Sequence, residues 1–343
     1  MKNERFFWGI FLFCALILGA CSSDKSEGNS PKTEIKLTVF HLEEAFSKAK
    51  SAEEIDSILQ SNPDVLEVYF KTKKIQSAAL AESLFSIYQN NSFQKFYTQS
   101  KEKAFFGNNS WEKQLKDALN QLLEMYPNMK IPKVKTVFTG FGGAGQFQAQ
   151  HLVVTDSLIV IGLDYFMGKK GMFLPPDVYD YQIKRLEPTG LTGQILVLYS
   201  SYFNQHQGTN RSLLNDMIWY GKSFYFAKKL VPEIPDSTLF GYSKDEIQGA
   251  NTYQDLIWEH FIANSLFYKK DEFLKTKYVG ERPKTPEIGP ACPGAIGRWL
   301  GYIIVNHYQD KFPDKKLSDI MKNGDADQML RDSDYRGKGN SKE

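Results

Sequence analysis

Cysteine is scarce in this 343-residue chain, with Cys14, Cys21 and Cys292 its three copies. The first two belong to an apolar leader, so Cys292 stands alone in the rest, and neither an intramolecular disulfide nor a cysteine zinc site can form. A lone thiol of this kind is expected to be buried rather than reactive. Histidine is thin too. None of His41, His151, His206, His260 and His307 lies four positions from another, so the two-histidine helical face of zinc hydrolases is absent. Glu259-His260 invites the inverted arrangement, but Leu256 stands where its second histidine is needed. No Gly-x-Ser-x-Gly elbow offers an acyl-transfer serine. Gly221-Lys222-Ser223 looks like the end of a phosphate loop, yet Asp216 occupies its leading glycine. Neither charge sign dominates: 42 Lys and Arg face 40 Asp and Glu, which gives nucleic acid no basic surface. Internal repeats are lacking, and no pair of carboxylates is singled out by spacing. The longest apolar run, Phe6 to Leu18, falls short of the roughly 20 residues that span a bilayer.

That run is preceded by Lys2 and Arg5 and followed by Leu18-Gly19-Ala20-Cys21, the lipobox pattern of bacterial lipoproteins. Residues 1–20 are therefore expected to be a signal peptide cut between Ala20 and Cys21. Acylated Cys21 becomes the mature N-terminus, anchored in a membrane but not spanning it. Residues 21–36 have the Ser, Lys, Asp, Glu, Gly and Asn composition of a flexible tether. A single globular domain is expected over 37–335, ahead of a polar tail at 336–343. Ser22 beside Cys21 points to the outer membrane.

Helical periodicity runs from Val39 through Phe46, resumes at Ile55 to Leu59, and returns at Pro63 to Phe70, Ala78 to Tyr88 and Trp111 to Met125. Asn90-Asn91 and Gly107-Asn108-Asn109 read as breaks. The pattern changes at Pro132: Val134 to Phe138, His151 to Thr155 and Leu158 to Leu163 are strand-like and predict a small sheet. Between the first two lies Gly140-Phe141-Gly142-Gly143-Ala144-Gly145. With a strand rather than a helix expected after it, this is read as a glycine-rich hairpin and not a dinucleotide loop. Helix resumes at Ile195 to Phe203. The next helix, capped by Thr209 or Asn210, carries Leu213 to Tyr225; Ser243 and Glu246 form a capping box; and Tyr253 to Phe267 places Leu256, Ile257, Phe261 and Ile262 on one side. Gly297 and Gly301 are four apart in a helix running to Tyr308, where another helix can approach closely. Leu317 to Leu330 reads as a last amphipathic helix. The fold class is α+β, predominantly helical.

From Leu213 to Lys222, Leu-Leu-Asn-Asp-Met-Ile-Trp-Tyr-Gly-Lys, the chain resembles the gliding-motility lipoprotein B family. Pro235-Asp236, the Trp258 to Phe261 helix, Pro293-Gly294, Gly297-Arg298-Trp299-Leu300-Gly301-Tyr302, Met329-Leu330 and Asp334-Tyr335 continue the likeness in order. That family is similar in turn to predicted zinc peptidases, which implies a zincin-like arrangement of helices on a small sheet. In such relatives a His-Glu-x-x-His helix and a later Glu-Gly hold the metal. Here the first would fall near Ile195 to His206, which lacks the motif, and Tyr220 precedes Gly221 where the glutamate would stand. The resemblance implies an envelope lipoprotein that serves gliding motility and type IX secretion by binding other envelope proteins, with no metal, no cofactor and no catalytic residue. An active hydrolase using another site, and a carrier of small apolar ligands, are the rival expectations.

Overall fold

The computed structural model describes residues 35–338. The signal peptide, Cys21 and its cleavage site, most of the tether, and residues 339–343 of the tail lie outside the described residues. From Ile35 on, the chain packs as one unit. The first described backbone group is already held: Ile35 N–H donates to Asn120 Oδ1 at 2.8 Å.

A four-stranded mixed sheet organises the first half, in the order β1 (Val39–His41), β2 (Lys133–Val137), β4 (Leu158–Gly162), β3 (Leu152–Val154). β2 is parallel to both β1 and β4, with Val134 opposite Ile159, and β3 runs antiparallel to β4. Val134, Val137, Ile159, Val160 and Ile161 are fully buried. Central parallel strands are covered on both faces, which is why they read as unbroken β-branched runs. The Leu42–Lys48 helix packs on β2 and the Leu191–Tyr199 helix on β3. The 110–125 helix buries Trp111, Leu115, Ala118, Leu119 and Leu122, an i, i+4, i+7, i+8, i+11 stripe. The predominantly helical α+β class is confirmed, but several local expectations are not.

Val39–His41 is strand, not the start of a helix, which begins at Leu42. Its partner lies almost a hundred residues away, where local periodicity cannot see it. Asn90 is not a simple break. Its side chain accepts from Ser92 N and Phe93 N and caps a further helix, Asn91–Ser100. The Leu213–Leu230 helix is capped by Ser212, which accepts from Asn215 N, while Asn210 Oδ1 accepts from Ser212 N instead. Leu317 to Leu330 is two helices, Leu317–Lys322 and Ala326–Ser333. Asn323 accepts from Asp325 N and Asp325 from Gln328 N, so two short polar side chains take over the backbone groups between them. In the Gln254–Ala263 helix, Ile257 and Phe261 are buried, but Leu256 and Ile262 face out. The Ser243 and Glu246 capping box forms as expected.

The glycine-rich segment is not a hairpin, since β2 pairs with β4 and not with β3. Gly140–Gly145 is one helical turn in which Gly140, Phe141, Gly142 and Gly143 have φ of +63°, +57°, +76° and +59°. Four successive positive φ values make this turn left-handed, a conformation that costs other residues roughly 1–2 kcal/mol each. Asp164 holds it in place. Its Oδ2 accepts from Phe141 N at 2.7 Å and from both Thr139 N and Thr139 Oγ1 at 3.2 Å.

The second half is built on two crossed helices, Leu213–Leu230 and Ile296–Lys311. A Cβ on Gly221 would lie 2.3 Å from the Gly301 carbonyl carbon, and one on Gly301 would lie 1.9 Å from Met217 O. Backbone therefore rests on backbone at the crossing, as the Gly297 and Gly301 spacing predicts. Tyr335 is fully buried, donates to Gln254 Oε1 at 3.1 Å and meets Trp258 edge-on, which pins the C-terminal end to the body.

Candidate functional site

One side of this crossing opens into a cleft of about 580 Å³. The Leu213–Leu230 helix contributes Asn215, Asp216, Trp219 and Tyr220, the segment after Ile195 contributes Asn204 and His206, and the Ile296–Lys311 helix contributes Arg298. Tyr220 lines this cavity together with Ser201, Asn204 and His206. Arg298 covers Tyr220. Its guanidinium lies 4.3 Å from the ring centroid, its Nε donates to Val279 O at 2.6 Å, and its Nη1 reaches Glu281 at 2.8 Å. Arg185 grips the same carboxylate. Burial would raise the Glu281 carboxyl, but the two arginines hold it below its ordinary value.

The opposite wall carries Lys275, whose buried ammonium pairs with Asp216 at 2.7 Å and Glu272 at 3.0 Å and donates to Arg211 O at 3.1 Å. Asn204 donates from Nδ2 to Trp219 O and Ser223 Oγ, and its Oδ1 has no partner. The floor behind His206 is tied down by Lys222. This ammonium donates to Gln205 O, Met321 O and Asn323 O, joining the 200s segment to the Leu317–Lys322 helix. Burial pushes Lys222 down to about 7. Sequence spacing carried no signal for Asn204 or Lys275. Arg298 was visible only as part of the Gly297 to Tyr302 likeness.

A catalytic zinc needs about three protein ligands. The cleft presents a phenol, neutral amides, a stacked guanidinium, the exposed His206 and two carboxylates, and those two, Asp216 and Glu272, are already taken by the Lys275 ammonium, so the set does not fit. Among the described residues no three His, Cys, Asp or Glu side chains converge as a metal site. Another titratable cluster lies at the sheet: His41 Nδ1 contacts Glu43 at 3.2 Å and Thr136 Oγ1 at 3.1 Å, and its Nε2 lies 3.5 Å from Glu112. Both ring nitrogens are engaged, and Glu43 is buried beneath them. The Glu43 hydrogen bond, opposed by burial, raises His41 above 6.5. A second cavity, of about 500 Å³, is apolar and is lined by Ala250, Tyr253, Leu256, Ile257, Ile288 and Cys292. Cys292 is half-buried, and burial lifts its thiol to about 12, so little thiolate exists at neutral pH.

The profile of the family described as gliding motility protein GldB matches residues 23–337, nearly all of the chain after the lipobox. The chain belongs to that family. It is accordingly a gliding-motility lipoprotein of the cell envelope. No helix among the described residues is long and apolar enough to cross a membrane. No curated protein and no solved structure matches the chain. The family match spans the cleft, the crossed helices and the sheet alike.

Proposed function

We propose that the protein is held by lipid on Cys21 in the outer membrane and serves gliding motility and the linked type IX secretion apparatus by binding other envelope proteins. The cleft around Tyr220 and Arg298 is, in this reading, the non-catalytic descendant of a zincin-like site. The observation that carries it is the cleft itself: Arg298 stacks on Tyr220 where the resemblance expects a metal ligand, so an arginine and aromatic surface replaces a reagent. Arginine and aromatic side chains are the types enriched where proteins bind one another. Membership of the gliding-motility family supplies the biological setting.

Crosslinking from intact cells tests this, comparing the native protein with a Cys21→Ser version. Recovery of secretion or motility components by the native protein, lost with the anchor, is the expected result. A deletion strain that glides and secretes normally would refute it. The apolar cavity beside Cys292 favours the small-ligand carrier as a second reading, because its volume and lining suit a drug-sized apolar molecule. Co-purification of such a molecule would support it. Stoichiometric tight zinc in the purified protein would instead favour an active hydrolase.

A further inference from the structure

Beyond β4 the chain runs through tight turns at Leu163–Lys170 and then exposes Met172, Phe173 and Leu174, each at 43–48 %. Among the described residues this is the only run of three consecutive large apolar side chains facing outward. Exposed runs of this length are avoided on soluble surfaces unless they meet something. The tip is also held rigidly. Gln99 accepts from Met172 N at 2.8 Å and donates to Lys170 O at 3.2 Å, clamping the loop to the Asn91–Ser100 helix. The Phe173 ring lies 5.3 Å from Phe96, which lies 4.9 Å from Phe138 at the end of β2, so the wedge is backed by the core.

Charges flank it. Lys169 and Lys170 precede the apolar run and are exposed, and Lys95 sits one turn from Gln99 on the clamping helix. Lys101 follows beside Tyr97. Carboxylates sit among them, Asp180 within 3.8 Å of Lys169, Glu102 next to Lys101 and Glu187 against Gly168, so the apolar tip has a rim of mixed charge in which Lys169 and Lys170 are exposed. An apolar tip with exposed lysines and the exposed ring of Tyr179 at its rim is the composition of a membrane-interface contact.

We propose that Met172, Phe173 and Leu174 insert into the leaflet that carries the protein's lipid, giving the domain a second membrane contact and a fixed orientation. With the lipid anchor proposed above, the tether keeps the domain near that leaflet: from Cys21 to Ile35 there are 14 residue steps, which span at most about 50 Å. A domain held that close meets the leaflet at high effective concentration, which adds to the affinity that the insertion has by itself.

The test uses the mature chain without lipid, Cys21→Ser, so that its outcome does not depend on whether Cys21 is the anchor. Cys292→Ser removes the other thiol, and Phe173→Cys carries an environment-sensitive fluorophore. With vesicles of phosphatidylethanolamine and phosphatidylglycerol, the label should shift to the blue and be quenched by bromo-acyl lipid several-fold more than a label at the exposed Tyr268→Cys. Separately, Met172→Ser with Phe173→Ser and Leu174→Ser should lower the vesicle-bound fraction at least tenfold with an unchanged circular dichroism spectrum. Lys169→Glu with Lys170→Glu should weaken binding to the anionic vesicles. A label at 173 that stays in water, or a triple-serine variant that floats as well as its parent, overturns the proposal. So does crosslinking of position 173 in cells to protein alone.

Discussion

Gly301→Ala is the sharpest test of the crossing on which the cleft is built. The added methyl would sit 1.9 Å from Met217 O and 2.5 Å from Met217 C. A carbon and a carbonyl oxygen are at ease only beyond about 3.3 Å, so the helices must part by about 1.4 Å. Both obstructing atoms are helix backbone and cannot rotate away as a side chain would. A gap of even 0.5–1 Å forfeits roughly a quarter to a half of each contact's attraction, and the fully buried Leu300, Ile304 and Met217 would share that loss. Overpacking costs typically about 1–3 kcal/mol, occasionally more, and alanine's better helix propensity returns about 1 kcal/mol. With rigid backbone on both sides the cost lies at or above the top of that range, about 3–4 kcal/mol, so we expect a net loss of about 2–3 kcal/mol, which lowers Tm by about 4–8 °C in a domain of this size. Urea and thermal unfolding of the unlipidated mature chain, followed by circular dichroism, would measure it. Gly208→Ala is the control, because a Cβ there meets nothing within 4 Å. A Gly301→Ala protein as stable as that control would refute the account of the crossing.

Three further perturbations probe the buried charges. His41 is raised in the fold, so its stabilising effect is present below about pH 6.5 and fades as pH climbs through its raised value. His41→Gln should therefore lose more stability against the native protein at pH 5.5 than at pH 8.5, read from urea midpoints. Asp164 is pushed up to about 6 by burial, against the pull of its bonds to Phe141, Thr139 and its own backbone. Its contribution falls as pH rises from about 4 through 6, and Asp164→Asn should lack that slope in unfolding measured across the same range. Lys222→Met strips three carbonyls of their donor and should cost about 2–4 kcal/mol at pH 7 by denaturant unfolding. Because Lys222 lies near 7 when folded, the native protein gains stability from this group between about pH 7 and 10, and the variant should not.

Local chemistry was written plainly enough to be read wherever short-range rules decide. The buried stripes of the 110–125 and 213–230 helices, the Ser243 and Glu246 capping box, the strands β2, β3 and β4 and the close approach at Gly297 and Gly301 all follow from residue spacing alone. Membership of the gliding-motility family rests on the profile match over residues 23–337. Tertiary structure decided what spacing cannot carry. Val39–His41 became a strand because β2, far along the chain, offers it a parallel edge. The glycine-rich turn wound left-handed because a buried carboxylate more than twenty residues away collects its amides, and because glycine lets the backbone accept that hand. Tyr220 met Arg298 only once two helices crossed on bare backbone, and Asn204 and Lys275 reached the same cleft from segments with no motif of their own. Helix periods, caps and turns are set by neighbours a few residues apart. A site is set by side chains that become neighbours only when the core closes, and no pattern within either segment records that meeting.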